Sequence, residues 1–348
     1  MFDMLKGFLT FLALAGTLAS SNTSVAKAQA AAAKTTATVA AASPARAAAV
    51  MLPGADAVMF VDLKRLFADV IPRVLVESPA RLAEVNTDID QFRAKTGIDP
   101  RAFDRITLSF RFAQTETNAT RAETVAVAHG TFNAGTLVAA GRLAAKGKYQ
   151  EQKLNGKTIY IFSLNEQLKM FGLFKMNVAD VAIAALDTNT LAIGSPETVR
   201  TVLENPNAGG AAASSELVGL ASQNAGALVG FGANVPPALL QNLDLGNEEI
   251  VRSVGSVRQL FGSIGMSGNN FDLLTVLRTD APDRAQNLSE TLSALKQFAP
   301  LLSLRFPGSK SKAAQDIIDS LQITNRSNEV ELKLIVEQPD INSLLNIL

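Results

Sequence analysis

Two distant stretches of this chain end in the same order of signals. Val181 to Leu186 and Leu191 to Gly194 read as hairpin strands around Asp187-Thr188-Asn189-Thr190. Ser195-Pro196-Glu197 then opens a helix with an N-cap, a proline at the first position and an acid in the first turn. Later, Ser320 to Thr324 and Val330 to Glu337 flank a turn at Asn325 to Asn328, and Pro339-Asp340 opens the last helix. The elements upstream match as well. In the first half Ala57 to Leu63 reads as a buried strand, and Lys64 to Lys95 reads as helix, kinked or ended in its first part by Pro72 and closed by Gly97. Ile106 to Phe112 and Glu123 to Phe132 follow as strands, then a helix from Asn133 to about Ala145. In the second half Ala227 to Val235, Pro236 to Val254, Val257 to Met266, Phe271 to Thr279 and a helix capped by Asp280 repeat that order. The first half has in addition Tyr149 to Lys153 and Thr158 to Ser163 around Asn155-Gly156, the strongest short-range hairpin cue. The expectation is an α+β protein of two similar, mainly antiparallel sheets with helices packed on one face, built by internal duplication. Its repeats span 51–205 and 216–348, joined by an Ala/Gly-rich linker, 206–215. The competing reading is an alternation of elements without common origin.

The N-terminus carries a different kind of signal. Gly7 to Ala19 is an apolar run preceded by Lys6, well short of the ~20 residues a membrane span needs. It matches a secretory h-region, with Ala28-Gln29-Ala30 as the cleavage site. Residues 1–30 therefore read as a signal peptide, with retention as an N-terminal anchor the alternative. Residues 31–50, about half alanine, read as an Ala-rich linker. Acylation at a cleavage point needs cysteine and the chain has none, so the expected exported product, periplasmic or extracellular, is not a lipoprotein. The absence of cysteine also removes disulfides, thiolate metal sites and cysteine nucleophiles.

The 348 residues hold 32 basic and 32 acidic side chains, a balance that argues against nucleic acid as partner. One histidine, His129, cannot build a multi-histidine metal site, and it sits mid-strand with Val125 and Val127 on its face. No metal and no cofactor are expected. Gly230-Phe231-Gly232 and Gly262-Ser263-Ile264-Gly265 lack the G-x-G-x-x-G spacing of a dinucleotide site and read as bulges or close packing. Asp56 and Asp62 bracket the first strand and read as caps of turns and of the next helix. No G-x-S-x-G nucleophile elbow is present.

One segment stands apart. Leu164 to Asp180 places Leu168, Met170, Phe171, Leu173, Phe174 and Met176 around Gly172, flanked by Lys169 and Lys175, where a connection is normally short and polar. Two readings remain open. The segment is a short amphipathic helix covering the open end of a sheet, or an exposed Met/Phe surface that meets a lipid, a peptide or another protein. The lysines suit an anionic membrane surface.

Leu52-Pro53-Gly54-Ala55-Asp56-Ala57-Val58-Met59-Phe60-Val61-Asp62-Leu63 resembles the opening of the mature domain in a group of exported bacterial proteins of unknown function. Leu186 to Glu197 is similar to the hairpin, glycine, proline and helix segment of those proteins. The resemblance implies an exported, two-repeat α+β body and transfers no catalytic residue. The function expected is therefore a non-enzymatic module of the bacterial envelope, binding or structural. Its contact would be an apolar ligand, a membrane surface or an envelope protein. A carrier of lipid or another apolar ligand is the alternative, and a carboxylate-based hydrolase ranks third.

Overall fold

Alternating β-branched and aromatic residues do form strands here, and the turn chemistry fixes how they pair. The computed structural model describes residues 51–96, 99–114, 120–170, 174–207, 212–236, 248–303 and 309–340. The expected signal peptide with Ala28 and Ala30, the linker 31–50, and Phe171 and Leu173 lie outside them. The chain divides into two units after Gly219.

In the first unit β1 (Ala57–Asp62) leads into α1 (Leu63–Arg65), whose N-cap is Asp62 with its carboxylate accepting the Arg65 N–H at 2.9 Å. A π-helical turn (Leu66–Val70) then precedes α2 (Ile71–Val74), which places Pro72 in its first turn. Proline has no N–H to give the ladder, so the widened turn sits just ahead of it. After α3 (Pro79–Thr96) come β2 (Phe103–Gln114), β3 (Thr120–Gly130) and α4 (Ala134–Ala144), the last capped by Asn133 through the Thr136 N–H. β4 (Tyr149–Leu154), β5 (Lys157–Met170), β6 (Phe174–Asp187), β7 (Thr190–Gly194) and α5 (Pro196–Glu204) complete the unit. The strands lie in the order β1-β2-β3-β7-β6-β5-β4, all antiparallel. Asn155 and Gly156 both take positive φ, 48° and 75°, and so supply the two-residue turn between β4 and β5.

Helices cover both faces of this sheet, not one as expected. α1 and α4 close one face around Leu63, Phe103, Ala128, Ala134, Val138 and Leu191. On the other, α5 buries Val199, Val202 and Leu203, and Arg200 Nε reaches Gln152 Oε1 at 3.1 Å. Each such side chain contributes about 1.5–3 kcal/mol on leaving water, so α5 stays on the sheet although it is short.

α6 (Ala212–Ala221) carries the point of division, so the stretch expected as a linker, 206–215, is helical from Ala212. The second unit then holds β8 (Val229–Asn234), α7 (Glu248–Gly255), β9 (Val257–Ser267), β10 (Asn270–Thr279), α8 (Pro282–Ser303), α9 (Ser309–Ser320), β11 (Gln322–Arg326) and β12 (Glu329–Val336). Its strand order is β8-β9-β10-β12-β11. Val257, Ala285, Leu288 and Val330 form its core with α8 on one face. On the other face Gly230 lies so close to the Ala221 carbonyl that a Cβ would overlap it, which is close packing as the glycine string suggested.

The two units agree beyond strand order. β2 carries an extra residue, Asp104, against β3, and β9 carries one, Arg258, against β10. Ahead of the first strand, Ala55 N donates to Leu52 O at 3.2 Å, and Ala227 N to Asn224 O at 3.1 Å. Asp56 N donates to Phe110 O and Leu228 N to Ile264 O, both at 2.8 Å. The buried hydroxyls of Ser109 and Ser263 each accept a bond, from Leu52 N and from Asn224 Nδ2. After the second hairpin, Gly130 N reaches Asn189 O and Thr279 N reaches Asn328 O. Among the described residues the units differ in two places: between the first and second strands the first has α1 to α3 where the second has α7, and between the helix after the third strand and the final hairpin the first has β4 and β5 where the second has α9.

Candidate functional site

β5 and β6 are each 14 residues long, and both outrun their other neighbours. β4 pairs with Lys157–Phe162 only, and β7 pairs with β6 from Ala182 to Asp187. Beyond Ser163 and Asp180 the two strands pair, among the described residues, only with each other, from Glu166↔Val178 to Met170↔Phe174. A register shift between Ser163 and Glu166 marks where this arm leaves the sheet, and the Ser163 hydroxyl donates to Asp180 Oδ1 at 2.7 Å at its base. The segment read as a possible helical cover, Leu164 to Asp180, is therefore strand on both sides of residues 171–173.

The register sorts the arm into two faces. Residues directly opposite in an antiparallel pair share a face, and alternate positions along a strand share it too. Leu168↔Met176 and Met170↔Phe174 thus occupy one face, and Gln167↔Asn177 and Lys169↔Lys175 the other. Of the six residues singled out from sequence, Leu168, Met170, Phe174 and Met176 share a face, while Phe171 and Leu173 fall outside the described residues. Two like charges directly opposed destabilise a strand pair, and the register sets Lys169 opposite Lys175. An isolated two-stranded ribbon is also marginal in water.

His129 is half-buried, with Nδ1 3.2 Å from Thr190 Oγ1. It belongs to a polar row across four strands, Asp62, Arg105, His129 and Thr190. The second unit has the corresponding row Asn234, Gln259, Arg278 and Glu329, where Arg278 Nη1 donates to Gln259 Oε1 and Gln259 Nε2 to Asn234 Oδ1. A position filled by histidine in one unit and arginine in the other fits a register-fixing role. Asp56 is likewise tied into structure, its carboxylate accepting the Phe112 N–H at 2.7 Å. Burial raises its carboxyl above the usual range, against the lowering effect of that bond and of Arg111. Among the described residues no group of three or more histidine or acidic side chains is placed to hold a metal. Among them, too, no helix is long and apolar enough to cross a membrane, which says nothing of strands.

The sequence reading passed over one cluster. Arg142 on α4 donates from Nε to the Tyr149 hydroxyl at 2.9 Å, lies over the Tyr149 and Tyr160 rings, and pairs with Glu151 at 3.1 Å. The available signal was that the only two tyrosines of the chain bracket the Asn155-Gly156 turn.

No protein-family model matches the chain, and no curated protein matches it. Among solved structures, it is similar to crystal form I of TP0453, a Treponema protein, with 9% identity over 89% of this chain and 99% of that one and a TM-score of 0.43. Crystal form III of TP0453 gives 8% identity over 88% and 99%, with a TM-score of 0.45.

Proposed function

We propose that the protein is a non-enzymatic, exported module of the bacterial envelope, assembled by duplication of one α+β unit, and that it engages an anionic lipid surface through the β5–β6 arm. The observation that carries this reading is the register of the arm. Leu168, Met170, Phe174 and Met176 hold one face of a ribbon that has no other strand beside it among the described residues, and Lys169 and Lys175 hold the other. Apolar side chains next to lysines are the composition of an interfacial anchor, the first entering the acyl boundary and the second meeting headgroup phosphates. Export rests on the Gly7–Ala19 run and Ala28-Gln29-Ala30, and duplication on the shared bulge and matched hydrogen bonds.

Co-sedimentation of the mature protein with vesicles tests the reading. Vesicles containing about a third phosphatidylglycerol should retain it, whereas pure phosphatidylcholine should not. Lys169→Glu with Lys175→Glu should abolish retention, since each basic residue near such a surface adds about 1 kcal/mol. Equal retention on both vesicle types, or retention by the double variant, would remove the proposal.

A further inference from the structure

The β4–β5 hairpin, which has no counterpart among the described residues of the second unit, builds one wall of a cavity. The cavity has a volume of about 220 Å³ and lies between α4 and the start of β5. Gly135, Val138 and Ala139 line it from α4, Gly156 from the turn, and Ala185 from β6. These small side chains leave the space, which is below the ~300–1,000 Å³ typical of pockets for drug-sized ligands, so its occupant is compact. The polar lining is Arg142, Lys157, Thr158 and Tyr160.

Charge and hydrogen bonding decide what suits it. The Arg142 guanidinium is held by two rings, a phenol oxygen and a carboxylate, at 5.2 and 5.4 Å from the ring centroids. These contacts occupy Nε and Nη2, and among the described residues Nη1 has no protein partner. Lys157 Nζ donates to the Leu186 carbonyl at 2.6 Å and meets no carboxylate among the described residues. Two cations against one anion, Glu151, leave a single positive charge at this wall. A pre-positioned guanidinium loses little freedom on taking up an oxyanion.

The geometry points to a binding site for a small aliphatic monocarboxylate, its carboxylate on Arg142 and Lys157 with Thr158 as an added donor, its apolar body against Val138, Ala139 and Ala185. The site is independent of the membrane reading, because it lies on the sheet side of the arm's base.

The chain itself supplies the reporter. It has no tryptophan, and both of its tyrosines, Tyr149 and Tyr160, contact Arg142. Butyrate is spectroscopically silent, so a titration of the full chain with butyrate, followed by tyrosine emission, reads occupancy of this cavity directly. The expected result is a saturable change that butyramide does not produce. Lys157→Gln and Arg142→Gln should each weaken the response at least tenfold, while Lys148→Gln, an exposed lysine ahead of β4, should leave it unchanged. Lys157→Gln removes only a bond to a carbonyl, so it keeps the test intact if Arg142→Gln fails to fold. A linear, unsaturable response, an equal response to butyramide, or full binding by Lys157→Gln would overturn the assignment.

Discussion

Gly230 has no room for a side chain, because the Ala221 carbonyl occupies the place of its Cβ. Gly230→Ala should therefore cost about 1–3 kcal/mol, read by urea unfolding, since a packed interface yields only by shifting backbone. Asp56 makes the opposite kind of prediction. Its folded carboxyl is raised above the unfolded value by burial. The folded state thus holds the proton more tightly, and the stability this brings is present at low pH and lost as pH rises through the folded value. Asp56→Asn keeps an acceptor for the Phe112 N–H and sheds the buried charge. It should be as stable as the parent or more so at pH 7, and the difference should shrink as pH falls through the raised folded value towards the ordinary aspartate range. Asp56→Ala should lose about 1–3 kcal/mol by leaving that N–H unpaired. Asp62 and Ser195 were legible as caps because a short polar side chain beside a strand end or a proline has few other uses, whereas Asp56, read the same way, instead bonds across the sheet to the Phe112 N–H. Arg142 was not legible. Its partners come from a different element, and no local pattern encodes a guanidinium lying over two rings.

At the scale of elements, the Asn155-Gly156 hairpin and the Pro196 helix formed where turn and cap chemistry placed them. Leu164 to Asp180 did not. A run of large apolar residues around a glycine satisfies helical and strand periods alike. The deciding signal was present in Leu168-Lys169-Met170 and Phe174-Lys175-Met176, which alternate with period two and mirror each other about Gly172. The placing of helices on one face also failed. α5 carries its apolar stripe Val199, Val202 and Leu203 to the sheet face opposite α4, and sequence spacing alone does not say which face a helix meets. The arm supports a prediction of its own. Because residues beyond Ser163 and Asp180 pair, among the described residues, only with one another, replacing 165–178 by a two-residue Asn-Gly turn should change unfolding free energy by no more than ~0.5 kcal/mol. A large loss would mean that the arm packs on the body.

Across the whole molecule, shared order of elements suggested two equivalent units from sequence. The hydrogen bonds, the bulge and the four-strand polar rows support that reading at named positions. Such agreement was invisible beforehand, since residues as unlike as His129 and Arg278 hold the same place in their sheets. What distinguishes the first unit, the β4–β5 hairpin, is also what supplies a strand of the arm and a wall of the cavity. The most direct measurement uses the absence of tryptophan in the chain. Phe174→Trp places a single indole on the apolar face of the arm. On addition of phosphatidylglycerol vesicles its emission should shift to the blue and be quenched by brominated acyl chains. Emission that stays at its aqueous wavelength while the protein sediments with those vesicles would contradict the account.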